Sequence, residues 1–460
     1  MNRAAAYRLV WRWHFYAGLV IAPFIFILSV SGLVYLFNDE INDFFQADKR
    51  FVEKAMPSLP LDRIAEIALG DYPAGKVTRI DTPRSSDRSI EVFVTTAADE
   101  AIRVFVDPGM GDVLGSHNYY HTLVGLADQL HGSLFLGEYG DAVVELAACW
   151  GLILIVTGVY LWWPRGEMSI WRALFPNWRM SGRALWRSLH ASIGLWTSAL
   201  AIFLVLTGLP WATVWGGLFR QATEIAGIGY PTSFRGYGTP ASETVTIGSE
   251  AGAAAPWTLA EAPAPRSAPH GSHGHHTMES ALSEGVPVGL NRVAAILAEN
   301  GMQAPYRLSL PKGASGVYVA FTYPDRPQGQ RSLYIDQYSG RVLGDVSFAD
   351  YGIAAKAIEL GIQLHMGNYF GRLNQVVMAI PCIGLILLSL TGPYMWWRRR
   401  PAGELGAPRE LAPAPMRAIA LITIVLAVFF PLAGASLILI GLIDRSWAWA
   451  RCLWPRRQQV

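Results

Sequence analysis

Charged residues are scarce in this chain. Asp, Glu, Lys and Arg make up 16% of its 460 residues, whereas 52% are hydrophobic. A soluble domain carries about 25% charged residues, so the composition predicts an integral membrane protein. The formal net charge is only +2. No large positive field is therefore available to attract a polyanion, and we expect no nucleic-acid partner.

Cysteine is also scarce, and several catalytic motifs are missing. Cys149 and Cys382 lie inside apolar runs and Cys452 lies in the C-terminal tail, which excludes a disulfide framework and a cysteine zinc site. The C-x-x-C-H motif of covalently attached haem is absent, so any haem must be held non-covalently. No His-Glu-x-x-His or phosphate-loop signature supports a hydrolase, and no nucleotide or flavin motif is present.

Five stretches lack charge for long enough to cross ~30 Å of hydrocarbon, which takes about 20 residues. Arginine clusters lie on one side of these stretches, and the positive-inside rule makes that side cytoplasmic. The C-terminal tail is basic as well, so the sequence leaves both sides of the membrane open for the C-terminus. The expected boundaries are spans at 1–38, 142–164, 188–219, 373–397 and 418–443, cytoplasmic loops at 165–187 and 398–417, periplasmic segments at 39–141 and 220–372, and a tail at 444–460.

The two halves of the chain resemble each other. Leu130-His131 and Trp162-Trp163 recur as Leu364-His365 and Trp396-Trp397, both with an offset of 234. His14 precedes Gly18 by four residues, and His190 precedes Gly194 by the same distance. Each half is therefore predicted to be a span, a periplasmic domain and a second span, arranged as a parallel repeat.

Each hydrophilic segment has the pattern of a helix followed by strands. An Asp-x-x-x-Gly sequence after the last strand of each set predicts a hairpin. Residues 240–285 are rich in Ala, Pro, Ser and Gly, which is typical of a disordered insertion. The predicted helices are 59–70 and 289–300, and the predicted strands are 76–82, 90–96, 102–107, 305–310, 316–323 and 331–336. The expected fold class is an integral membrane α-helical bundle of about five spans with two periplasmic α+β domains.

Four of the ten histidines lie at the ends of predicted spans. His14 and His190 are at the cytoplasmic ends of the first and third spans, and His131 and His365 are on the periplasmic approach to the second and fourth. An imidazole in or beside a bilayer is costly, so it indicates a functional site. Two imidazoles at equal depth on facing helices are what bis-histidine haem requires. The alternative is that these are interfacial histidines bonded to lipid headgroups or backbone.

The repeat pairs His14 with His190 and His131 with His365. Crossed pairs are disfavoured, because a span of ~20 residues is ~30 Å long. The prediction is therefore two b-type haems per chain, with the four histidines binding haem iron. Glycines are expected to let the porphyrin approach the backbone, and arginines to pair with the inner propionates. The glycines are Gly18, Gly194, Gly132, Gly137, Gly367 and Gly371, and the arginines are Arg8, Arg12, Arg183 and Arg187.

Other ionisable residues have competing interpretations. His117 and His121 are spaced as a metal pair on a helix would be, although a surface or helix-capping role is favoured. Glu145 lies inside the second span, where it could relay protons, bond a haem ligand or extend towards the interface. A histidine-rich tract could bind metal weakly, although a solvated linker is the favoured interpretation. Its histidines are His270, His273, His275 and His276.

These motifs together resemble the PepSY-associated transmembrane family across essentially the whole chain. The resemblance rests on Arg12-Trp13-His14 with Gly18, Leu130-His131 with Gly137, the two Thr-Gly-x-x-x-Trp-Trp sequences, Leu189-His190 with Gly194, Pro431-Leu-Ala-Gly-Ala-Ser436 and Asp444. It implies PepSY-type periplasmic domains and four haem-ligating histidines. It also implies the activity of the inner-membrane siderophore reductases in this family, which reduce ferric iron in the periplasm. The insertion and the fifth span depart from the minimal family pattern.

The expected function is transfer of electrons across the bacterial inner membrane to a ferric siderophore or another ferric chelate. A quinol or a cytoplasmic protein would be the electron donor. Two other functions stay open at this point. One is a non-enzymatic regulator that binds an envelope protease or another partner through its periplasmic domains. The other is a metal-transport accessory protein that uses the histidine-rich tract.

Overall fold

The computed structural model describes residues 3–53, 58–165, 169–229, 267, 287–401, 403, 406 and 416–453. The chain forms two compact units. One is helical and contains Met1–Leu36, Ala127–Phe219 and Gln375–Val460. The other is built around a β-sheet and contains Phe37–Leu126 and Arg220–Asn374. The predicted insertion at 240–285, including the histidine-rich tract, lies outside the described residues apart from Ser267.

The described helices of four or more residues are as follows, in chain order. They are α1 (Arg3–Leu36), α2 (Asn38–Phe45), α3 (Ala47–Arg50), α4 (Leu61–Leu69), α5 (Leu123–Ser133), α6 (Gly137–Trp162), α7 (Ile170–Ala173), α8 (Gly182–Gly208), α9 (Thr213–Ile225), α10 (Leu290–Glu299), α11 (Ile353–His365), α12 (Arg372–Trp397), α13 (Met416–Phe429) and α14 (Pro431–Leu453).

Four of the described helices are long and apolar enough to cross a membrane. They are the helices at Ala4–Leu36, Gly137–Trp162, Gly182–Trp211 and Arg372–Trp397. All four coincide with predicted spans. Helices α1 and α6 run antiparallel, because Gly18 lies against Leu154 while Ile25 lies against Gly151. Helices α8 and α12 do the same, with Gly194 against Leu388.

The predicted fifth span, 418–443, is divided into two shorter helices, α13 and α14. Pro431 has no backbone N–H to continue the first helix. A Cβ added to Gly434 would collide with the backbone of Ala427, so the two helices pack closely where the chain turns. The Trp150 indole donates a 3.0 Å hydrogen bond to Ser436 Oγ, which fixes α14 against α6. This segment is therefore a helical hairpin rather than one straight helix.

The second unit contains an antiparallel sheet of eight strands in the order β4-β3-β2-β1-β5-β6-β7-β8. Two four-stranded meanders are joined where β1 pairs with β5. The strands are β1 (Lys76–Asp81), β2 (Ile90–Thr95), β3 (Ala101–Val106), β4 (Val113–Asn118), β5 (Arg307–Ser309), β6 (Val317–Thr322), β7 (Arg331–Asp336) and β8 (Val342–Ser347). The predicted helices and strands of this unit are confirmed to within about two residues at each end.

Helices α4 and α10 contribute to the core beside this sheet. Ile64 and Val293, one from each helix, are fully buried with strand residues such as Leu333. The two helix N-termini cap each other: Asp62 accepts from the backbone N–H of Leu290 at 2.8 Å, and Asn291 accepts from that of Asp62 at 3.2 Å. The α+β character predicted for the hydrophilic segments is thus present, and both halves contribute to one continuous sheet.

The structure has both hairpins that the Asp-x-x-x-Gly sequences predicted. Asp107 Oδ1 accepts from the backbone N–H groups of Gly109 and Met110, and Gly111 takes a φ of +80°. Asp336 makes the same turn, and Gly340 has a φ of +69°. Glycine suits both positions because left-handed backbone carries a steric cost for other residues.

Candidate functional site

His14 is held by the helix that runs antiparallel to its own. Its Nδ1 lies 2.9 Å from Thr157 Oγ1 on α6. The Thr157 hydroxyl donates its one hydrogen to the backbone carbonyl of Ile153 at 2.8 Å, as threonines in helices commonly do. The hydroxyl is therefore the acceptor from His14, whose Nδ1 must carry the proton. The other ring nitrogen, Nε2, keeps its lone pair.

His190 has the same arrangement on the second antiparallel pair. Its Nδ1 donates to Thr391 Oγ1 of α12 at 2.8 Å, and that hydroxyl donates to the Leu387 carbonyl at 2.7 Å. His14 and His190 lie close enough to interact electrostatically. A metal-ligating histidine usually has one nitrogen fixed by such a hydrogen bond while the other binds the metal. Both imidazoles are thus in the tautomer that metal ligation requires.

Glycine follows threonine at both positions, and the imidazoles pack against it. A Cβ at Gly158 would lie 3.3 Å from His14 Cε1, and one at Gly392 would lie 3.6 Å from His190 Cε1. Each Thr-Gly pair therefore supplies both a hydrogen-bond acceptor and a flat surface for one ring. The sequence identified these pairs only as repeat markers and not as partners of the histidines.

His131, near the C-terminal end of α5, contacts the far end of α1. Its Nδ1 lies 3.0 Å from the Leu28 carbonyl and 3.2 Å from Ser31 Oγ. A carbonyl can only accept, so Nδ1 carries the proton and Nε2 is again left with its lone pair. Next to Ser31 is Gly32, where a Cβ would lie 2.9 Å from His131 Cε1. The sequence analysis did not predict these contacts. The repeat carries a signal for them, because Ser31-Gly32 recurs as Thr207-Gly208 with an offset of 176. The same offset relates His14 to His190.

The substitution Gly32→Ala should displace His131. A helical Gly→Ala change is intrinsically favourable by roughly 1 kcal/mol, so a loss of function here would come from the clash with the imidazole. If His131 binds haem, Gly32→Ala should lower the haem content from about two towards one per chain. The control is Gly217→Ala in helix α9, where an added Cβ meets no atom within 4 Å among the described residues. Equal haem content in both variants would contradict this role of Gly32.

His365 is the last residue of α11 and belongs to the sheet unit. It is half-buried in that unit. His131 belongs to the helical unit. The pairing of His365 with His131 stays a prediction.

Most of the glycines expected to admit a porphyrin have another structural role. Gly137, Gly367 and Gly371 have φ values of +57°, +79° and +60°, so each occupies left-handed backbone next to a helix boundary. The Cβ positions of Gly18 and Gly194 are in ordinary contact with leucine side chains, at 3.8 and 3.6 Å. The glycines that pack directly on an imidazole are Gly158, Gly392 and Gly32.

Glu145 is a helix cap. It is 1% exposed, and its Oε2 accepts from the backbone N–H groups of Val214 and Trp215 at 3.0 and 3.1 Å. These groups belong to the first turn of α9, where free N–H donors and the helix dipole favour a carboxylate. The interpretation that Glu145 extends towards the interface is wrong, and its described hydrogen bonds reach backbone rather than a histidine.

His117 and His121 do not form a metal pair on a helix, which is the interpretation that the sequence disfavoured. His117 lies in β4 and packs 5.1 Å from the Phe105 ring, whereas His121 ends a 3₁₀ turn. Burial and the nearby Arg103 lower the pKa of His117 to about 4, so this imidazole is neutral at physiological pH. The two histidines do not share a helix face. His270, His273, His275 and His276 lie outside the described residues.

Comparison with known sequences gives a family match. The profile of the PepSY-associated TM region matches residues 11–399, which include His14, His131, His190 and His365. A search of curated proteins gives no match. The match covers most of the chain, and the four long apolar helices are those of a multi-pass membrane protein. The chain belongs to the PepSY-associated transmembrane family.

Proposed function

We propose that this protein is a haem-dependent oxidoreductase of the bacterial inner membrane. It would move electrons across the membrane and reduce ferric chelates, such as ferric siderophores, in the periplasm during iron acquisition. The observation that carries the proposal is the matched pair His14–Thr157 and His190–Thr391. Each hydroxyl fixes one ring nitrogen and leaves Nε2 for a metal.

This arrangement fits a bis-histidine b-type haem. An imidazole in the bilayer is costly unless its polar atoms are bonded, and each threonine satisfies Nδ1 without competing for Nε2. Such a haem, when bound, supplies one-electron transfer. The chain's own residues would then set ring orientation through Thr157 and Thr391 and ligand basicity through the same hydrogen bonds.

The second haem of the proposal uses His131 and His365. In the helical unit, His131 has the same Nδ1-protonated tautomer as His14 and His190. The equivalent contacts in α1–α6 and α8–α12 support a duplicated unit with one haem near each end of the helices. The arginine-rich loops favour the cytoplasmic side for His14 and His190, and hence the periplasmic side for the hydrophilic segments 39–141, which includes His131, and 220–372.

Reduction in the periplasm would help to release iron from its chelator. Siderophore oxygens are hard ligands, which bind ferric iron much more strongly than ferrous iron. Because the sequence has no nucleotide or flavin motif, a quinol or a cytoplasmic electron-transfer protein is the proposed donor.

The activity can be tested with the full chain in detergent or lipid nanodiscs. The dithionite-reduced protein, freed of excess reductant, is mixed anaerobically with a ferric hydroxamate chelate and a ferrous-specific indicator. We expect reoxidation of the protein spectrum with about one ferrous ion formed per haem. A reduced protein that remains reduced with ferric hydroxamate, catecholate and citrate chelates would contradict the reductase proposal while leaving the haem sites intact.

A further inference from the structure

Arg399 contacts two aromatic side chains of α1 that flank His14 in the sequence. It follows the end of α12, and its guanidinium lies 5.2 Å from the Trp11 ring centroid and 5.1 Å from that of Phe15. Trp11 and Phe15 are one helical turn apart on α1, and His14 lies between them in sequence. Cation–π contacts of this kind hold a guanidinium in place without neutralising its charge.

The hydrogen-bonding capacity of Arg399 is only partly used. One terminal nitrogen, Nη2, donates to the Gly406 carbonyl at 2.7 Å. The Nε atom is buried and has no partner among the described residues. No described carboxylate forms an ion pair with Arg399, and burial, together with the positive charge of Arg183, lowers the pKa of Arg399. Two nearby guanidinium groups repel each other, so an anion between them would stabilise the site.

Arg165 is the repeat counterpart of Arg399, at the offset of 234. Its contacts do not call for an anion. Its Nη2 donates to the Tyr160 carbonyl at 2.8 Å, and its guanidinium lies 4.3 Å from the Tyr7 ring centroid. Both arginines thus donate to a backbone carbonyl. Of the two, Arg399 alone has a buried Nε without a partner among the described residues. The difference points to a ligand on the Arg399 side.

We propose that Arg399, together with Arg183, binds a carboxylate, and that this carboxylate is a propionate of the haem held by His14 and His190. The inference rests on the proposed function. Carboxylates are the anions that a guanidinium binds in bidentate fashion. Thr391, which holds His190, precedes Arg399 by eight residues, or about 12 Å of helix, a reach that suits a propionate arm extending from the porphyrin. Sequence reasoning predicted Arg183 for this role but not Arg399.

The test is a redox titration of the full chain in a His131→Ala background, where only the haem of His14 and His190 should remain. One electron added to that haem makes it more negative, so a nearby guanidinium stabilises the reduced form. Arg399→Gln should lower the reduced-to-oxidised ratio at a fixed potential about tenfold, which is about 59 mV for one electron. Arg399→Lys keeps the charge and should show less than half this shift. Arg165→Gln is the matched control and should leave the ratio unchanged.

The outcomes separate the inference from the proposed function. A shift in Arg399→Gln that is absent in Arg165→Gln supports a propionate at Arg399. Unchanged potentials in both, with haem present, overturn it and leave the haem proposal standing. If Arg399→Gln keeps its potential but loses co-purifying lipid phosphate, the anion is a lipid headgroup and the inference is wrong. A colourless His131→Ala parent and colourless Arg165→Gln control would refute the proposed function as well.

Discussion

His14→Ala and His190→Ala should each remove the same haem, so that each variant retains about one haem per chain. The two imidazoles have the same tautomer, and each is held by a threonine on the opposing helix. A haem held between these two imidazoles would lose one of its two protein ligands in either variant. Haem extracted from the purified protein and divided by protein concentration gives the number directly.

The double variants make this prediction sharper, because residues that act as one unit give non-additive effects. The double variant His14→Ala/His190→Ala should still retain about one haem, whereas His14→Ala/His131→Ala should retain none. His117→Ala is the control, since His117 lies in the sheet unit against Phe105. Loss of both haems from His14→Ala/His190→Ala would show that the pairing deduced from the repeat is wrong.

Thr157→Val and Thr391→Val should weaken binding of that same haem about 10–100-fold, the usual effect of removing the group that orients a metal-ligating histidine. Valine keeps the shape of threonine but has no oxygen to accept from His14 Nδ1–H or His190 Nδ1–H. The freed N–H would be left unbonded in an apolar site, and the imidazole could rotate. The measurement is haem transfer from each variant to an excess of a soluble haem-binding protein, followed over time.

The matched control is Thr197→Val. Thr197 is also a helical threonine whose hydroxyl donates to the carbonyl four residues earlier, at 2.8 Å, but no described hydrogen bond joins it to a histidine. It should release haem at the rate of the unchanged protein. If Thr197→Val and Thr157→Val release haem equally fast, the threonine hydroxyls have no specific role at the imidazoles.

The elements that follow from local pattern were predictable from the sequence. The uncharged runs identified the four long helices, and alternating β-branched residues located strands such as β2 and β6 to within two residues. The Asp-x-x-x-Gly sequences predicted both hairpins because glycine and aspartate are required by the turn itself. In each case the signal comes from residues close together in the chain.

The parts that were missed depend on which residues face each other across helices. Ser31 and Gly32 are ordinary span residues until α5 brings His131 against them. Glu145 was expected to reach solvent or a histidine, but α9 begins beside it and its N–H groups take the carboxylate. The division of 418–443 depends on Pro431 and on the close packing at Gly434, which no local pattern reveals.

The most direct test of the central claim is the visible spectrum of the full chain purified in detergent from haem-replete cells. It would be recorded oxidised and after dithionite, with haem quantified per chain. A Soret band, sharp α and β bands on reduction, and about two haems per chain are the predicted result, since two bis-histidine sites are proposed. A colourless protein would contradict the account and favour the alternative of a membrane protein that acts by binding a partner.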